Sequence, residues 1–239
     1  MAALVSTFFI TGFIPFFAIP LFVRRFGKFM PADAGTALVR SFHVPRFAAP
    51  RDEKRKTLRR RLWRKLLCAS FLWGITGGTL FCGAFYIGLP PFVCPFLFAA
   101  ALLAATDERY HLLPDFLTVP LMIAGFFAAA ADIGLLTAAG SAVGAVFGFL
   151  LPTVSGALMT PFKGRSMGGG DFKMLAATGA WIGCVGLVTA IVASCVFFAG
   201  FMLTRKKTSG PYGLSLVLGI VLFLILETFP AFRELFVVV

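Results

Sequence analysis

The sequence predicts an all-α, polytopic integral membrane bundle of about eight transmembrane helices, with a basic cytoplasmic loop after the first span. Two observations carry this. Of 239 residues, 59% are hydrophobic and only 13% charged, phenylalanine alone supplying 30, and the mean hydropathy is +0.93. Soluble domains are about 45–50% apolar and about 25% charged. The second observation is where the charge lies. Of the 22 lysines and arginines, 14 fall between Arg24 and Lys65, opposed there only by Asp33, Asp52 and Glu53, so that +11 of the net +12 sits between two apolar runs. This is the positive-inside pattern of a loop lying against anionic headgroups. A disordered chain and a soluble nucleic-acid-binding domain are excluded, and the partner of the basic run is the lipid bilayer, not nucleic acid.

The elements follow from the charges. The first span, 1–23, has no cation ahead of its apolar run and Arg24-Arg25 behind it, which predicts a retained helix with its N-terminus outside. The basic loop 24–65 follows on the cytoplasmic side, and a transmembrane core occupies 66–230. Within it, spans are expected over 66–88, 91–105, 116–133 and 136–159, with an inner loop 160–173 marked by Lys163, Arg165 and Lys173. The next apolar stretch, 174–203, would run roughly 45 Å as one helix at 1.5 Å per residue. That exceeds a ~30 Å hydrocarbon core and would put Arg205-Lys206-Lys207 outside. A split near Gly183–Gly186 returns those cations inside. A last span, 212–229, leaves a tail, 231–239. Gly140, Gly144, Gly148, Gly156, Gly179, Gly183 and Gly186 permit close helix contacts within the bilayer. The five cysteines are odd in number and form no C-x-x-C pair, so neither a disulfide framework nor a zinc site is predicted.

Carboxylates near a bilayer are costly and tend to be functional. The topology puts Asp107, Glu108, Asp115 and Asp171 at inner ends of spans, and Asp132, Glu227 and Glu234 near outer ends, where solvation accounts for them. Asp171 closes Met167-Gly168-Gly169-Gly170-Asp171 at the start of an apolar helix. The glycines permit positive φ and close backbone approach, although Asp is also a favoured N-cap. Asp107 precedes Leu113-Pro114-Asp115, a tight inner turn in which Pro114 suits the start of the next helix and Asp115 favours its N-terminus. His111 has no evident partner, and Ser166 and Ser209 have no base arranged beside them. Two aspartates on one membrane face would share a proton if folding brings them close: one activates water while the other donates, without metal or cofactor.

At these residues a resemblance enters. Gly168-x-Gly170-Asp171-Phe172-Lys173-Met174-Leu175-Ala176-Ala177 followed by Gly179-Ala180-Trp181-Ile182-Gly183 resembles the GxGDFK block of type IV prepilin leader peptidases. Asp107 with Leu113-Pro114-Asp115-x-Leu117-Thr118-x-Pro120-Leu121 is similar to their first-aspartate block, and Pro211-Tyr212-Gly213-Leu214 to their late PFGP block, with Leu214 where proline is usual. The resemblance implies a membrane-embedded aspartic endopeptidase cutting the basic leader from prepilin-like precursors at the cytoplasmic face. Its catalytic aspartates carry over to Asp107 and Asp171, with Gly168, Gly170, Lys173, Pro114 and Asp115 as supporting motif positions. Many bacterial members have paired C-x-x-C motifs in the first loop and N-methylate the product. Residues 24–65 contain no cysteine, so zinc is not expected and methylation is not carried over. Three other readings stay open: a peptidase of other small secreted precursors, a catalytically silent scaffold of a pilus or secretion apparatus, and a proton-coupled transporter.

Overall fold

The computed structural model describes residues 2–29, 53–163, 169–205, 210–229 and 232. All regular structure among them is α-helical, in two compact units, residues 1–86 and 87–239.

The first unit is an antiparallel helix pair, α1 (Ala2–Phe29) and α2 (Glu53–Tyr86). Glycines on α2 make room for phenylalanines of α1. A Cβ at Gly74 would lie 2.7 Å from the Phe13 ring and one at Gly78 2.7 Å from the Phe9 ring. Phe13 in turn meets Phe71 edge-on at 5.5 Å, and Phe8 stacks on Phe85 at 4.3 Å. Rings seated on bare backbone supply dispersion contact where lipid removes the hydrophobic driving force. Helix α2 starts well inside the basic segment, leaving Arg60, Arg61, Arg64 and Lys65 exposed along it.

The second unit contains α3 (Val93–Tyr110), α4 (Asp115–Ala130), α5 (Ala138–Lys163), α6 (Gly169–Arg205) and α7 (Gly213–Leu226). Helix α6 is the hub, packing against α4, α5 and α7, while α3 lies against α7 and α4. The α5–α6 contact is made backbone to backbone. A Cβ at Gly144 would run into the Gly179 carbonyl, one at Gly179 into the Gly144 carbonyl, and one at Gly148 into the Leu175 carbonyl. The buried Ser141 hydroxyl then donates to the Ala180 carbonyl at 2.7 Å. On the α4 side, Trp181 stacks on Phe96 at 4.9 Å and its Nε1–H donates to the Leu121 carbonyl at 2.8 Å. Gly125 leaves the room this needs, since a Cβ there would sit 3.0 Å from the indole.

Among the described residues there are seven helices. Four contain stretches long and apolar enough to cross a membrane: Leu4–Gly27, Arg60–Tyr86, Ala138–Ala157 and Gly169–Thr204, while Asp115–Ala130 and Gly213–Leu226 are shorter apolar helices. The molecule is thus an all-helical, multi-pass membrane protein, and the finer expectation of eight spans goes beyond what these helices show. The stretch expected to split near Gly183–Gly186 is assigned as one helix, but Gly183 breaks it with φ 70° and ψ −176°. That left-handed φ suits glycine, because a Cβ would be strained there.

Candidate active site

Asp107 lies in the last turn of α3, past the end of the apolar run 91–105. The helix stops three residues later because His111 takes up a left-handed conformation (φ 51°), its N–H closing on the Asp107 carbonyl at 2.8 Å. Leu112, Leu113 and Pro114 follow, and the extended Pro114 (φ −73°, ψ 132°) delivers the chain into α4 at Asp115. The turn expected from the Leu-Pro-Asp sequence is therefore present, with Asp115 in the first turn of the next helix.

The glycine motif is built differently from the expectation. Helix α6 begins at Gly169, so Asp171 lies inside its first turn and not at an N-cap. Gly169 and Gly170 are helical and use no positive φ. What Gly170 supplies is close approach: a Cβ there would be 2.9 Å from Leu113 Cβ. Gly168 lies outside the described residues.

Two contacts thus join the motifs at one end of the second unit. Gly170 packs on Leu113, beside Pro114, and Lys173 Nζ donates to Asp115 Oδ2 at 2.6 Å. The ion pair is exposed on both sides, 42% for Lys173 and 62% for Asp115, so it contributes at most about 1 kcal/mol. Its use is to fix the start of α6 against the start of α4.

The carboxylate of Asp107 is only 7% exposed. Its Oδ2 accepts a hydrogen bond from the Gly213 N–H at 2.8 Å, and the Tyr212 N–H is also directed at it. Burial pushes this carboxyl above its ordinary pKa. The Gly213 bond, the His111 imidazole and the Tyr212 N–H act against that, and Glu108 adds to it. Burial thus favours a carboxyl that keeps its proton to higher pH than a solvated aspartate would. Asp171 is half-buried and lies within electrostatic reach of the Tyr212 phenol. Both aspartates therefore bear on the Tyr212-Gly213 step, Asp107 on its amides and Asp171 on its ring.

Tyr212 and Gly213 were given no role by sequence reasoning beyond their place in the late Pro-Tyr-Gly block. Nothing in their spacing points to Asp107, 106 residues away. The only available signal was a glycine opening an apolar helix directly after Pro-Tyr.

Asp107, buried, and Asp171, half-buried, lie at one end of these helices, and carboxylates so placed in a membrane protein are costly and tend to be functional. Comparison with known proteins narrows this. Residues 92–203 match the type IV leader peptidase family, a stretch holding Asp107, Asp115 and Asp171. The match covers just under half of the chain and shows similarity to a leader peptidase family over that stretch. It is 33% identical over 134 residues to the prepilin leader peptidase/N-methyltransferase of Xanthomonas campestris, covering 56% of this chain and 43% of that protein. To the protein of the same name from Klebsiella pneumoniae it is 45% identical over 85 residues, 34% of this chain and 36% of that one. To the type 4 prepilin-like proteins leader peptide-processing enzyme of Escherichia coli O78:H11 it is 30% identical over 131 residues, 52% of this chain and 48% of that one. The matched stretches span less than half the length of each of these relatives. No solved structure matches the chain.

Proposed function

We propose that this protein is a membrane-embedded aspartic endopeptidase that removes the basic leader of prepilin-like precursors at the cytoplasmic membrane face, with Asp107 and Asp171 as its catalytic pair. The observation that carries this reading is the buried Asp107 carboxylate held by the Gly213 N–H, with Asp171 within electrostatic reach of the neighbouring Tyr212. The family match over residues 92–203 and the names of the relatives support this substrate class.

In this reading Asp107 enters the cycle protonated, as burial favours. Asp171 enters as the carboxylate, in the first turn of α6 where negative charge is favoured. Asp171 takes a proton from water as the oxygen attacks the scissile carbonyl carbon, and Asp107 gives its proton to the carbonyl oxygen. The gem-diol then collapses: Asp171 protonates the amide nitrogen, the C–N bond breaks, and one hydroxyl proton returns to Asp107. Every proton is accounted for, and the pair is reset. Gly170 and Pro114 shape the turn against which the substrate lies, with Lys173 and Asp115 clamping it. The basic segment 24–65 lies on the cytoplasmic side against anionic headgroups, and the N-terminus lies outside.

The test is to incubate purified protein with a candidate pilin precursor and read product masses. Two products summing to the precursor plus one water, cut at the leader boundary, support the reading. An intact precursor under conditions where a related peptidase cuts it would end it. The same spectrum reads methylation, since a methylated mature product carries one methyl mass more.

A further inference from the structure

We propose that Tyr212, latched to Ser194 on the second half of α6, is a positioning residue that sets the orientation of the Asp107 carboxylate. This inference rests on the peptidase reading above and adds a residue to it that neither motif aspartate block contains.

The latch can be followed atom by atom. Ser194 is fully buried and its hydroxyl donates to the Ile191 carbonyl at 2.7 Å. The Ser194 proton being so used, the short contact between Ser194 Oγ and the Tyr212 hydroxyl makes the phenol the donor. Phe198, one turn further along α6, meets the Tyr212 ring edge-on at 5.9 Å. The ring is thus fixed in position and direction by α6. The very next peptide unit carries the Gly213 N–H that holds Asp107 Oδ2 at 2.8 Å, and the Tyr212 N–H points to the same carboxylate. These are N–H groups at the start of α7 that no helix carbonyl can satisfy. The carboxylate is also hemmed in sterically, because a Cβ at Gly213 would sit 3.0 Å from Asp107 Oδ2 and 3.1 Å from Ala104 Cα.

Helix α6 therefore governs both acids. Its first half, 169–182, carries Asp171 directly. Its second half, beyond the break at Gly183, holds Asp107 through Ser194, Tyr212 and Gly213. Freeing the phenol leaves every atom of the acid pair in place but loosens the amides that aim one of them. The loss then falls on the chemical step and not on substrate binding.

The experiment compares Tyr212→Phe, Ser194→Ala, the double variant and Ser194→Thr in purified, folded protein. Turnover, KM and the pH profile are read with the same precursor, and the infrared carboxyl band of Asp107, assigned by its loss in Asp107→Asn, is read without substrate. Tyr212→Phe and Ser194→Ala should each lower kcat about tenfold, the worth of one hydrogen bond made effective in the transition state. KM should hold, the alkaline or acid limb of the profile should move, and the double variant should be no worse than the poorer single. Ser194→Thr should restore turnover, and the Asp107 band should shift in Tyr212→Phe. Wild-type kcat, pH profile and infrared band in Tyr212→Phe would overturn the proposal, as would fully additive losses. If the wild-type protein itself does not cut, the peptidase reading fails. The infrared band then decides the latch separately: a shift retains it and an unmoved band rejects it.

Discussion

Replacing Asp107 by asparagine is expected to lower leader cleavage by roughly 10³-fold, and Asp171→Asn by a similar factor, both with the protein still folded in the membrane. The size follows from general acid–base catalysis, which contributes roughly 10²–10⁴-fold. Asparagine keeps the shape and the acceptor oxygen that the Gly213 N–H reaches, so the fold contact survives while the ability to take or give a proton is lost. The two losses should not multiply, because the aspartates act as one unit. Asp115→Asn is the informative comparison. Its partner Lys173 is exposed and the pair is screened by solvent, so the loss of clamping should stay below about tenfold, the equivalent of 1.4 kcal/mol. Cleavage of a precursor by each variant, read by mass at equal folded concentration, gives the ranking. Undiminished cleavage in both Asp107→Asn and Asp171→Asn would reject the acid pair. A complete loss in Asp115→Asn would move that residue into contact with the substrate.

The second large effect concerns the frame. Gly144→Leu is expected to destabilise the second unit by about 3 kcal/mol or more, the upper part of the range for overpacking a tight contact. The Cβ alone would strike the Gly179 carbonyl and lie 2.8 Å from Gly183 Cα, both of them backbone that cannot swing aside. Helix α5 would be pushed off α6, breaking the Ser141 hydrogen bond to Ala180. Thermal unfolding in detergent reads this, with Gly200→Ala as the control. At Gly200 nothing lies within 4 Å of an added Cβ, so alanine in that helix should be neutral or stabilising by up to about 1 kcal/mol. An equal fall in both variants would mean that the α5–α6 backbone contact does not set stability.

The class of fold was legible because its causes are local. Apolar runs, the cluster of cations before Lys65 and the Pro114 turn depend on neighbouring residues only, and the break within 174–203 falls at Gly183, where a glycine was available to take it. The number of spans was less legible, since a kinked helix and two helices share one hydropathy pattern. At the site, the sequence marked Asp107, Asp171 and the turn through Pro114. It left open what the motif glycines do, because close approach and positive φ both demand glycine and only the position of Leu113 separates them. Lys173 on Asp115, across 58 residues, and Gly213 on Asp107, across 106, were invisible, because a tertiary hydrogen bond leaves no periodicity behind. Tyr212 is the extreme case: its side chain serves α6 and its backbone serves α3, so neither neighbour in sequence reports its task.

The central claim is that the two motif aspartates sit close enough to share a proton. It is tested most directly by cysteine pairs introduced after replacing Cys68, Cys82, Cys94, Cys184 and Cys195 with serine. Asp107→Cys with Asp171→Cys should be joined in high yield by a short bifunctional thiol reagent in the membrane, as should the reference pair Asp115→Cys with Lys173→Cys, whose native side chains touch at 2.6 Å. Efficient joining of the reference pair with none between positions 107 and 171, both thiols remaining reactive to a single-ended reagent, would contradict the account.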